Sequence, residues 1–186
     1  MANQPHANTP KQFTPKSGQA HEALAWFVLT AFAGLRPEEA MQVESKKHLR
    51  LTADKPHIEI TSDICKTGQW RIVYPLPEVV TALKAALKMA ARQRKVSPFP
   101  CAAALPFGKK RKEKLQQRLR AVLGLAAWPK DITRHSASSY WLAITNDQRH
   151  VAEMLGHSER TARAIYKKPV ERAVAEKFYA ALKLIS

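Results

Sequence analysis

Two periods of hydrophobic and polar positions divide the chain into helical and extended stretches. From Gln19 to Ala33 the residues are good helix formers and apolar on most sides, the pattern of a helix buried in a core, and Gly34 is expected to end it. Pro37 suits the first turn of a second helix reaching about Glu44, with Glu38 and Glu39 near its positive end, so Arg36 falls in a tight corner between two helices. Three short segments of strand character follow: His48 to Ala53, His57 to Thr61 and Trp70 to Leu76. The breakers Asp54-Lys55-Pro56 and Lys66-Thr67-Gly68-Gln69 separate them, which predicts a small antiparallel sheet.

Helical spacing returns after Pro77, with Val80, Leu83 and Leu87 on one stripe, and runs to about Lys95. Ser97 to Phe107 holds three prolines and reads as a loop. Lys109 to Leu123 is expected to be an amphipathic helix whose first turns carry Lys109, Lys110, Arg111, Lys112 and Lys114, a cluster suited to phosphates or to solvent rather than to reading bases. Further helices are predicted over Ile132–Ile144, Asp147–Leu155, Ser158–Lys167 and Val170–Leu184. On the last, Val170, Val174, Phe178, Leu182 and Ile185 form a stripe fit to pack on the chain's own core or on a neighbour. The fold class that results is α+β, mainly α-helical, with a small three-stranded antiparallel sheet.

The length of 186 residues fits one main domain, taken as 19–186. Met1 to Gly18, rich in Pro, Asn, Gln and Lys without apolar periodicity, reads as a flexible leader or linker. Lys and Arg number 31 against 15 acidic residues, and the pI is near 10.2, so a polyanion such as nucleic acid is the leading partner. Charge alone leaves the reaction open. Cys65 and Cys101 lie far apart with no CxxC or Cys/His pairing, which indicates neither zinc nor a disulfide framework and fits a reducing cytoplasm. The longest apolar run, Leu24 to Leu35, is about half of what a membrane span needs.

Three separated blocks bear the candidate chemistry. The first is Ala33-Gly34-Leu35-Arg36-Pro37-Glu38-Glu39, with a Glu three residues after the Arg. The second is Lys66-Thr67-Gly68, followed by a strand ending in Pro75-Leu76-Pro77. The third runs from Thr133-Arg134-His135-Ser136 through Leu155-Gly156-His157-Ser158 to Ile165-Tyr166, with Tyr166 nine residues after His157. In their order and spacing these blocks resemble those of the tyrosine recombinase (phage integrase) family, and the resemblance covers nearly everything outside the leader. It implies the helical DNA breaking-rejoining catalytic fold, without that family's N-terminal DNA-clamping domain.

The residue types suit that chemistry. Two guanidiniums, Arg36 and Arg134, can bind phosphodiester oxygens bidentately and neutralise developing charge without a metal or other cofactor. A phenol, Tyr166, keeps the ester energy in a phosphotyrosine, and its ordinary pKa near 10 demands cationic surroundings or a base. The departing deoxyribose oxygen needs a general acid, for which Lys66 on its turn is the candidate. His157 offers a hydrogen bond to a phosphate oxygen or merely caps a helix, while His135 and Glu39 are supporting residues. Tyr74, Tyr140 and Tyr179 are better explained by packing.

The resemblance further implies double-stranded DNA as partner, a tetramer joined through exchange of the final helix, and a bacterial or phage cytoplasm. One position departs from the pattern: Asp131 stands where the family usually has His or Lys. A carboxylate there repels phosphate, although Asp before Ile132 is a good N-cap. Two other readings therefore stay open: a non-catalytic DNA-binding module, and a type IB topoisomerase.

Overall fold

A computed structural model describes residues 20–93, 109–157 and 170–184. The leader over 1–18, the expected loop over 97–107, the helix expected over 158–167 with Tyr166, and both Cys101 and Ile185 lie outside them. The elements in order are α1 (Ala20–Phe27) continued by a π-helical segment (Val28–Phe32), α2 (Pro37–Gln42), α3 (Ser45–His48), β1 (Leu49–Arg50), β2 (His57–Ile60), β3 (Arg71–Val73), α4 (Pro77–Gln93) and α5 (Lys109–Val122). After these come α6 (Ile132–Thr145), α7 (Gln148–Leu155), α8 (Arg172–Ala180) and a closing 3-10 turn (Ala181–Leu184). The result is a mostly helical α+β arrangement with a small sheet.

The helices pack around the π-helical segment, whose five residues are all buried. α6 lies against it, α1 against α4, and α8 against α6. Trp26, Leu29, Leu83, Trp141, Leu155 and Leu182 fill the space between, each at most 1% exposed. Truncating a buried side chain of that size typically costs about 3–5 kcal/mol. The first helix does not run straight to Ala33 as its composition predicts. Its last turn widens, with the Ala33 N–H reaching back five residues to Val28 O at 3.0 Å, and the chain then turns at Gly34 with φ +70°. The Trp26 indole N–H donates to Pro37 O at 3.2 Å and so pins the start of α2, with Arg36 before it, to the buried helix.

The strands pair in the order β1-β2-β3, all antiparallel, and all are shorter than expected. His48 belongs not to a strand but to the single turn of α3. Its ring is buried, with Nδ1 accepting the Glu44 N–H at 2.9 Å and Nε2 facing the Thr61 hydroxyl at 3.1 Å, and this satisfies the turn locally. Ile58 and Val73 pair across β2 and β3 and face the core, while Ile60 pairs with Arg71. An arginine thus occupies an inward position of the sheet.

One further expectation is corrected and another holds only in part. Asp131 does not cap α6 through its side chain: it adopts φ +54°, in the left-handed region, and its carboxylate makes no cap hydrogen bond. In that conformation the carboxylate is not directed at the first-turn N–H groups, and it stays exposed. Of the stripe expected on the final segment, Leu182 is buried and Phe178 packs against the core, but Val174 is 46% exposed, and Ala175 and Tyr179 complete the inward face. Phe178, on its flank, stacks on Phe32 at 4.4 Å and tilts against Tyr140 at 4.3 Å. These aromatic contacts set which side of the helix turns inward. Among the described residues no helix is long and apolar enough to cross a membrane.

Candidate active site

The C-terminal end of α7 organises the site. Asp147 caps its start by accepting the His150 N–H at 2.9 Å. Its end is closed by Gly156 at φ +61°, with the Gly156 N–H bonded to Glu153 O at 3.1 Å and the His157 N–H to Ala152 O at 2.9 Å. The left-handed residue turns the chain and leaves the carbonyls of Met154, Leu155 and Gly156 to other partners. Each receives one guanidinium. Arg71 Nε donates to Met154 O at 3.1 Å, Arg134 Nη2 donates to Leu155 O, and Arg36 Nη2 donates to Gly156 O at 3.1 Å. The negative end of a helix dipole adds to the attraction.

Three arginines from separate parts of the chain are brought together in this way. Arg36 sits at the extended N-cap of α2, where its backbone N–H donates to Glu39 Oε2 at 3.1 Å and its Nη1 donates to Glu39 Oε1 at 3.0 Å. Arg134, on α6 and only 5% exposed, also donates Nη1 to Gly34 O at 2.8 Å and Nε to His157 Nε2 at 3.1 Å. Burial, and then the nearby charge of Arg36, pull its pKa down to about 9, which still leaves it cationic at neutral pH. Gly34 is required at its position twice over: its φ is positive, and a Cβ there would run into the Leu155 side chain.

Glu39 is the carboxylate at the centre, 1% exposed. Burial raises its pKa, but the hydrogen bond and charge of Arg71, with those of Arg36, outweigh this and hold it below the usual carboxylate range. Arg71, Arg36 and Arg134 therefore surround a single buried carboxylate with an excess of positive charge, an arrangement that attracts anions.

His157 is held neutral. Burial, followed by the charges of Arg134 and Arg36, pushes its pKa down to about 3. Because Arg134 donates to Nε2, the ring proton is assigned to Nδ1, and among the described residues that buried atom has no hydrogen-bond partner. The histidine thus caps α7 with its backbone and offers a ring N–H to something else.

Lys66 is exposed on the turn before β3. It lines a cavity of about 400 Å³ together with Arg36, Glu38, Glu39 and Cys65. His135 is exposed on α6, and its charge is among those that depress the His157 pKa. Asp131 is exposed, and its charge acts on Arg134. On α5, Lys109, Lys110 and Lys114 are exposed, whereas Lys112 is committed to an ion pair with Glu38 at 3.0 Å. The Arg111 side chain and Tyr166 lie outside the described residues. Among the described residues no three His, Cys, Asp or Glu side chains converge as metal ligands would.

The sequence reading passes over Arg71. Its signal lies in the alternation of β3, where Arg71 and Val73 occupy the same face as Ile58 and Ile60. A charge at an apolar register position calls for a buried partner.

The chain matches no protein-family model and no curated protein sequence. Its fold, with the helices and three-stranded sheet described above, is similar to that in a crystal structure of XerA recombinase, with a TM-score of 0.51 and 17% identity over 97% of this chain and 67% of that one, and it is consistent with a tyrosine recombinase catalytic fold.

Proposed function

We propose that residues 19–186 are the catalytic domain of a DNA strand-exchange enzyme that cleaves and rejoins double-stranded DNA through a phosphotyrosine. The observation that carries this reading is the collection of Arg36, Arg71 and Arg134 on three consecutive carbonyls at the end of α7, around one carboxylate and beside the Nδ1–H of His157, which has no partner among the described residues. Arg36 and Arg134 hold non-bridging oxygens of the scissile phosphate with their remaining N–H groups, and His157 donates to the same phosphate.

The Tyr166 phenol passes its proton to water, a loss favoured by the positive charge of the arginines, and its oxygen attacks phosphorus. A bond from phosphorus to tyrosine forms, and the bond to the 5′-oxygen breaks. Lys66 protonates that oxygen as it leaves, and the products are a 3′-phosphotyrosine and a free 5′-hydroxyl. A 5′-hydroxyl from another strand reverses the step without ATP. The exposed lysines at the start of α5 track the DNA backbone. The working form on paired sites is a homotetramer.

The test is incubation with a panel of nicked duplexes followed by denaturation. A DNA–protein adduct with the wild-type chain that is lost in Tyr166→Phe supports the reading. DNA binding without any adduct across the panel favours the non-catalytic module, and relaxation of supercoiled plasmid by a monomer favours the topoisomerase.

A further inference from the structure

Strand exchange gives Arg36 and Arg134 a task and leaves Arg71 without one. Its guanidinium is 9% exposed, and an arginine so buried requires its donors satisfied. Nη1 and Nη2 donate side by side to the two oxygens of Glu39 at 3.1 and 2.5 Å, and Nε donates to Met154 O at 3.1 Å. Glu39 is also the carboxylate that accepts from Arg36, through Nη1 at 3.0 Å and the backbone N–H at 3.1 Å. One carboxylate therefore serves two guanidiniums. In an isolated Arg36–Glu39 pair the charges would cancel, and Arg36 would hold little attraction for a phosphate. With Arg71 bound fork to fork, the carboxylate charge is already matched, and Arg36 keeps its own.

We infer that Arg71 is a positioning residue that claims the charge of Glu39 and so leaves the positive charge of Arg36 uncompensated, with its guanidinium held at the Gly156 carbonyl where a phosphate can meet it. This rests on the strand-exchange reading of the same site, and it deepens it. Arg71 does not touch the substrate; it acts through Glu39. A plain structural brace and a charge-claiming residue differ in one respect. For a brace, the loss of Arg71 and the loss of the Glu39 charge add. For a charge-claiming residue they offset, because removing the carboxylate charge frees Arg36 again.

The experiment compares wild type, Arg71→Met, Arg71→Lys and the double variant Arg71→Met/Glu39→Gln, each first checked for folding by circular dichroism. Two quantities are read: the affinity for inorganic phosphate by calorimetry, and the single-turnover rate of adduct formation on a duplex that the wild type cleaves. Arg71→Met is expected to lose about 10- to 100-fold in both, and Arg71→Lys, which keeps the charge without the fork, less. The double variant is expected to regain roughly tenfold over Arg71→Met. Arg71→Met binding phosphate as the wild type does, or a double variant weaker still, overturns the inference. The expected order in phosphate affinity without any wild-type adduct supports the role of Arg71 and sinks strand exchange instead. Where Arg71→Met does not fold, Arg71→Gln with and without Glu39→Gln gives the same comparison.

Discussion

The Nε–H of Arg134 donates to Nε2 of His157 at 3.1 Å and so fixes the tautomer of the histidine, while burial and the neighbouring guanidiniums keep it neutral. A histidine facing the guanidiniums of Arg134 and Arg36 from a buried position gains nothing by protonation.

Stability should therefore fall on mild acidification. The His157 pKa lies near 3 in the folded chain against 6.5 when unfolded, so the unfolded state takes up a proton as pH drops through about 6.5 while the folded state does not. The associated stability is present above that value and is lost progressively toward about pH 3. His48, also depressed by burial first, adds in the same direction. Urea unfolding between pH 8 and 5 should show a shallower pH dependence for His157→Gln than for wild type. Parallel curves would contradict the assignment.

Arg134→Lys should be nearly as damaging to cleavage as Arg134→Ala. A lysine ammonium cannot serve Gly34 O, Leu155 O and His157 at once and still face a phosphate. The single-turnover rate is expected to fall by about 100- to 1000-fold. A lysine variant within tenfold of wild type would show that charge alone suffices.

Gly34→Ala should cost about 2–4 kcal/mol, the sum of a left-handed backbone strain and an overpacked contact with Leu155. Thermal unfolding measures it. The same change displaces the carbonyl that holds Arg134, so cleavage should drop further than the loss of folded protein explains.

Lys66→Ala should be rescued by chemistry in the substrate. A 5′-bridging sulfur leaves without protonation, so its cleavage should stay within a few-fold of wild type. The ordinary oxygen ester should lose about 100-fold or more. Equal losses on both substrates would remove Lys66 from the role of general acid.

Asp131→Asn should tighten DNA binding about two- to fivefold. It removes a negative charge that acts on Arg134 and keeps a residue type at ease with φ +54°. The comparison is made by fluorescence anisotropy at two salt concentrations; unchanged affinity at low salt would count against any influence of that carboxylate.

Local patterns were legible in the chain by itself. Apolar periodicity and breakers located α4 from Pro77, α5 from Lys109 and α6 from Ile132 to within a residue or two of their observed ends. They also put Arg36 in the corner between two helices. The order and spacing of the blocks singled out Arg36, Arg134 and His157, which the structure brings together, and Lys66, which lines the same cavity as Arg36. What tertiary structure alone decided is which partner each charge finds. Arg71 reaches Glu39 and Met154 only because the register of β3 and the end of α7 meet there. Phe178 of the α8 stripe finds Phe32 and Tyr140 while Val174 of the same stripe stays exposed and Tyr179 turns inward, and Asp131 takes a left-handed turn instead of a cap. Periodicity and capping are short-range and can be read along the chain. Buried ion pairs and helix faces depend on segments distant in sequence, which packing alone brings side by side.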